Sequence, residues 1–244
     1  MQKKLKFIEE KIAGLPKKKM DQKELDFVAM YLGSSRAYLG IKTGDLVKVA
    51  KEIAKTQDTF GTDELIALLN KLFNSKTFEE YIIGGKIFTF IKPENRAKIP
   101  FQVLGNWLIP AKGWLEVDVI CQSAYTGKEI LDRWGDWAKT IKKFSKSEYI
   151  SVRRASLVLQ VKPVREISDE KLRMLAFETI ERLKGEKEVL ITKAVSWLLR
   201  GLSDLNKEEV KNYILKNEAT LPRIAVRETL KKIETGTKNN RKLK

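Results

Sequence analysis

The stretch from Lys112 to Ala124, KGWLEVDVICQSA, places Trp114 four residues before Asp118. On a helix that spacing stacks both side chains on one face, at adjacent turns. The pair offers two attractions to a positive charge: the negative face of an aromatic quadrupole and the full charge of a carboxylate. Taken alone, the spacing fits more readily a core tryptophan with a solvated acid at the helix edge. A second stripe weighs against that. Lys193, Trp197 and Arg200 stand at i, i+4 and i+7, so one helix face presents cation, aromatic, cation. That order suits a surface gripping phosphates and a sugar together, and a core helix has no use for it.

Composition narrows the chemistry further. Among 244 residues, 48 Lys and Arg stand against 32 Asp and Glu, a net charge of +16. Such an excess points to a polyanion, nucleic acid before membrane, because no segment approaches a membrane span. A lysine-rich proteome would give the same charge with no binding role. There is no His, which removes His-based zinc sites, the Ser-His-Asp triad and any imidazole base. One cysteine, Cys121, excludes an intrachain disulfide framework and suits a reducing cytoplasm. Neither a P-loop nor a G-x-G-x-x-G stretch is present. The chemistry is left to carboxylates, aromatics, amides and cations, with no metal or cofactor. The opening MQKKLKFIEEKIAGLP is charged on both sides of its few apolar residues and is not expected to be a signal peptide.

Apolar stripes at helical period predict helices over Gln2–Ala13, Asp21–Leu32, Asp63–Phe73, Phe78–Ile91, Pro100–Ile109, Gly113–Tyr125 and Lys128–Phe144. Others follow over Ser147–Val161, Ser168–Lys184, Lys187–Leu202, Lys207–Asn217 and Pro222–Thr235. Thr43 reads as the N-cap of one more helix, running to about Lys55, and Thr62 as the cap of Asp63–Phe73. Hairpin signals are missing. Short breaks predict antiparallel helix pairs, and a pair spacing of roughly 40 residues is that of HEAT-like repeats. The expected fold is all-α, a helical repeat solenoid with a basic concave face; a globular all-α fold competes with it. Residues 1–236 read as a single repeat domain, and the basic run 237–244 as a disordered tail.

Four stretches resemble the HEAT-like family of DNA alkylation repair glycosylases. Tyr31-Leu32-Gly33 followed by Tyr38-Leu39-Gly40-Ile41-Lys42-Thr43 is similar to the family's Y…FLGIKTP, with Gly44 in place of Pro. Trp114-Leu115-Glu116-Val117-Asp118 matches its W-x-x-V-D helix. Val152-Arg153-Arg154-Ala155 through Gln160 resembles W-L-R-R-x-A-I-L-F-Q, and Lys193 to Arg200 resembles K-A-I-G-W-x-L-R. Arg227-Glu228 is similar to a family R-E pair. Three departures stand out. Gly113 replaces a second aromatic, Val226 replaces a basic residue, and a longer span from Arg154 to Trp197 fits an insertion around Val164–Ile167.

The resemblance implies a monofunctional glycosylase that excises cationic N3- or N7-alkylated purines from duplex DNA, as a monomer, in the cytoplasm with the nucleoid. It implies that Asp118 is catalytic, that Trp114 and Trp197 flank the lesion nucleotide, that Arg154 holds the backbone, and that Tyr31 completes the aromatic wall. Lys193, Arg200, Arg153 and Arg227 are the further DNA-binding candidates. Periodicity does not choose between Arg153 and Arg154; only the resemblance picks Arg154. Trp107, Trp134 and Trp137 are expected in the core. A non-catalytic HEAT-repeat protein recognising distorted duplex is the competing function, and a protein-binding scaffold the third.

Overall fold

The structure, a computed structural model, describes residues 2–122 and 124–238. Most of the expected basic tail, 239–244, lies outside the described residues. Among those described, fifteen α-helices and one short 3-10 helix carry the fold, with two isolated β-bridges, Lys17 to Ile41 and Ala37 to Thr77. None of the described helices is long and apolar enough to cross a membrane. The chain forms two compact units, Met1–Ala124 and Tyr125–Lys244.

The first unit holds α1 (Gln2–Ala13), α2 (Gln22–Leu32), α3 (Thr43–Lys55), α4 (Thr62–Phe73), α5 (Phe78–Phe90), α6 (Pro93–Ala97), α7 (Phe101–Leu108) and α8 (Gly113–Cys121). Helices α3, α5 and α8 pack in a row, and α1, α4 and α2 pack against them. Helix α5 is buried almost all round, between α3, α4 and α8. The core is aromatic: Phe73 lies 5.2 Å from Tyr81 and 5.0 Å from Trp107, whose other neighbour is Phe88 at 5.4 Å. The buried Trp107 indole still needs an acceptor, and Asn70 supplies it at 2.6 Å.

The second unit holds α9 (Gly127–Asp132), α10 (Trp134–Phe144), α11 (Ile150–Glu166), α12 (Glu170–Leu183), α13 (Val189–Leu202), α14 (Lys207–Asn217) and α15 (Arg223–Thr235). Helices α11, α13 and α15 form its row, with α12 packed on α11 and α13, and α14 on α13 and α15. Each outer helix leads through a few residues into the inner helix it packs on.

Helix starts follow capping chemistry, though not always at the expected residue. Asp21 and Glu24 close a reciprocal capping box on α2, Thr126 and Glu129 another on α9, and Asp169 caps α12. Thr43 and Thr62 are not caps. Lys42 and Gly61 are the half-in residues, their carbonyls accepting from Leu46 and Leu65, while each threonine is already helical. The expected helix Lys128–Phe144 breaks at Arg133, whose non-helical backbone separates α9 from α10. Helix α11 runs past Val161 through Pro163, so residues 164–166, expected at an insertion, form its last turn. Trp107 and Trp137 are core residues. Trp134, at the first position of α10, is only half-buried.

Candidate nucleic-acid interface

In the first unit the site is built where α8 begins and α2 ends. Gly33 caps α2 with φ 68° and Gly113 opens α8 with φ 64°. Their backbones touch: a Cβ on Gly33 would stand 2.8 Å from the Gly113 Cα, and one on Gly113 would overlap the Leu32 carbonyl oxygen. Both positions therefore demand glycine, for conformation and for space. This explains why Gly113 stands where an aromatic was expected from the resemblance.

The close approach sets the aromatic wall. The Trp114 indole N–H donates to the Tyr31 carbonyl at 2.8 Å, and the two rings meet edge to face at 5.6 Å. Trp114 is half-buried and Tyr31 is 60% exposed. One turn along α8, Asp118 is 3% exposed. The alternative of a core tryptophan beside a solvated acid is thus reversed here: the carboxylate is inside and the ring is partly open.

Beneath them, Glu116 ties α8 to the loop after α2. Its side chain is buried and accepts from the Lys112 backbone N–H at 3.0 Å and from the Ser34 hydroxyl. The Arg36 Nε lies 3.2 Å from the same carboxylate. Arg36 also donates to the carbonyls of Phe73 and Ser75, and its guanidinium lies 4.4 Å over the Tyr81 ring. Burial, and then the Glu116 charge, push the Tyr81 phenol well above its ordinary range. Sequence reasoning missed Glu116 and Arg36. The only signal was an acid inside the W-L-E-V-D stretch at a position facing away from Asp118.

In the second unit, Arg153 and Arg154 separate clearly. Arg153 Nε and Nη2 lie 2.8 and 3.1 Å from the Glu186 carboxylate, and Nη1 donates to the carbonyls of Ser147 and Glu148. Nearly its whole donor set is spent on its own protein. Arg154 is 4% exposed, and its Nη1 donates to the Leu190 carbonyl in the first turn of α13.

On α13, Lys193 is exposed and Trp197 half-buried. Arg200, the third member of the expected stripe, turns into the seam with α15. There its Nε lies 3.5 Å from Glu228, which also accepts from the fully buried Ser196 at 2.8 Å. Burial is the main influence on the Arg200 guanidinium and lowers its pKa. Lys232 donates to the Arg200 carbonyl at 2.6 Å and also pairs with Asp204. Arg227 is exposed on α15.

A helical array with a buried acid one turn from a half-open tryptophan, on a strongly cationic chain, defines a nucleic-acid-directed protein. The model of the DNA alkylation repair enzyme family matches residues 17–233, and the chain belongs to that family. Its role is in the repair of alkylated DNA, and DNA is its partner. Among solved structures it is similar to a predicted DNA alkylation repair enzyme from Enterococcus faecalis, with a TM-score of 0.70 and 20% identity, covering 89% of this chain and 97% of that one. The all-helical, HEAT-like repeat fold is the one expected of the family. No curated protein matches the chain.

Proposed function

We propose that this protein is a monofunctional DNA glycosylase, hydrolysing the N-glycosidic bond of N3- or N7-alkylated purines in duplex DNA and leaving an abasic site. In this reading it acts as a cytoplasmic, nucleoid-associated monomer without a cofactor, with residues 1–236 as one DNA-binding repeat domain. The observation that carries the reading is Asp118, buried one helical turn from the tethered, half-open Trp114 on α8.

Breaking the bond sends its electron pair to the departing base and leaves positive charge on the deoxyribose, as in glycoside hydrolysis. A carboxylate away from bulk water stabilises that charge more strongly than a solvated one, and indole faces add cation–π attraction. An alkylated purine is already cationic and leaves neutral, so the site needs no general acid. The absence of histidine is then no handicap. Water adds at the sugar carbon, held by Asp118, and its proton passes to solvent. Trp114, Trp197 and Tyr31 flank the nucleotide, and Arg154 holds the backbone beside it. Lys193 and Arg227 meet phosphates. Arg153 and Arg200, held by Glu186 and Glu228, add positive charge to the DNA-binding side of the second unit.

The test is release of N7-methylguanine and N3-methyladenine from methylated duplex DNA by wild type and by Asp118→Asn. The swap keeps shape and removes the charge, so excision should fall by about 10²–10³ with less change in duplex affinity. Equal excision by the variant would make Asp118 a bystander. Tight binding of alkylated duplex with no base released would instead establish a non-catalytic binder.

A further inference from the structure

Helix α2 buries none of its side chains. Phe27 and Met30 are 61% and 73% exposed and share a stripe with Tyr31 at i, i+3 and i+4. Scattered apolar side chains on a surface need no explanation, but a contiguous set does. The Phe27 and Tyr31 rings lie nearly parallel, 9° apart with centroids at 6.2 Å, and Tyr31 in turn meets Trp114. The three rings therefore form one continuous series from mid-α2 to the start of α8.

Lys23, exposed, stands one turn before Phe27, and the exposed Asp26 one turn before Met30. Both acids of the helix have partners: Glu24 in the capping box and with Lys18 at 2.6 Å, while Asp26 accepts from the Gln22 amide at 2.8 Å. Cation, aromatic, thioether, aromatic is a surface for a polyanion with apolar faces.

We propose that Lys23, Phe27 and Met30 extend the DNA-contacting surface beyond Tyr31, Lys23 on a phosphate and the two apolar side chains against sugars and unstacked base faces beside the damaged nucleotide. The proposal rests on the reading above, that Tyr31 and Trp114 face DNA. Two observations select duplex DNA over another occupant: the unbroken ring contacts into the Tyr31–Trp114 pair, and the net charge of +16 on the chain that carries them. Apolar side chains wedged at distorted base steps, and aromatics under exposed bases, are established ways of holding deformed DNA.

The experiment measures binding of a fluorescein-labelled duplex carrying one tetrahydrofuran abasic analogue, across a salt series, with sedimentation of each free protein. The variant Phe27→Ala/Met30→Ala should bind about tenfold more weakly with an unchanged salt slope, since it removes stacking and no charge. Lys23→Ala should lower that slope by about one. Phe27→Tyr should restore most of the loss that Phe27→Ala alone produces, and thermal melting should stay close to wild type throughout, since both side chains are mostly exposed. If wild type binds and the double variant binds equally well, the α2 proposal fails while the glycosylase reading stands. A wild-type dimer that the double variant turns into monomer would assign the stripe to a second copy and overturn the proposal. A wild type that binds neither this duplex nor methylated duplex would overturn the glycosylase reading and the proposal with it.

Discussion

The Trp114 indole N–H donates 2.8 Å to the backbone carbonyl of Tyr31, eighty-three residues earlier in the chain. The bond is main chain to side chain, so it fixes the indole against the end of α2 whatever side chain stands at position 31. It is possible only because Gly33 and Gly113 let the two backbones touch.

The first prediction tests that contact. Gly113→Ala forces a side chain into the left-handed region and into the Leu32 carbonyl, and should cost about 2–4 kcal/mol in urea denaturation. Excision should fall as well, because the wall moves. Gly135→Ala is the contrast: an added Cβ there meets nothing within 4 Å. In the first turn of α10 it should stabilise by roughly 0.5 kcal/mol.

A second prediction concerns the buried ion pair. Glu116→Gln leaves the Arg36 charge inside without its counter-ion, which should cost about 3–5 kcal/mol of stability. The joint change Glu116→Gln/Arg36→Met should recover part of that loss. Additive costs, measured by denaturant unfolding of both singles and the double, would show that the two side chains are not coupled.

The cations of the second unit should divide into two groups. Lys193→Ala should weaken duplex binding on unrelated sequences alike and reduce the salt slope by about one. Arg200→Ala and Arg153→Ala remove partners of Glu228 and Glu186, so each should lower the melting temperature with a smaller effect on that slope. A full unit of slope lost in Arg200→Ala would place its charge on DNA instead.

Lys86 gives a pH prediction. Burial on α5 lowers its pKa from 10.5. Below the lowered folded value both states hold the proton, and the folded state bears the full cost of the half-buried ammonium. Between that value and 10.5 the unfolded chain holds the proton and the folded one does not, so stability rises with pH through this window. Lys86→Met should be more stable than wild type at neutral pH, with the difference shrinking as pH climbs toward 10.5. A constant difference across the range would assign the effect to packing.

Much of the fold was legible because helical periodicity is local. The apolar stripes of α1, α14 and α15 are read within a few residues, and the sequence spans match the helices closely. The aromatic and acid on α8 and the cation and aromatic on α13 were legible for the same reason. By itself the sequence also determined the limits of the chemistry, since no histidine and one cysteine remove whole classes of catalyst wherever the chain folds.

Other features depend on partners far along the chain, and only the tertiary structure decided them. Arg200 continues the Lys193–Trp197 stripe by spacing, yet it faces Glu228 because α15 packs beside α13. Arg153 and Arg154 are indistinguishable by period. They part because Glu186 reaches one and the Leu190 carbonyl the other. Gly113 looked like a missing aromatic until Leu32 and Gly33 came to rest against it. A local pattern states which face a residue occupies; what covers that face is set by packing between distant segments, where desolvation and pairing decide whether a charge is free to bind or already engaged.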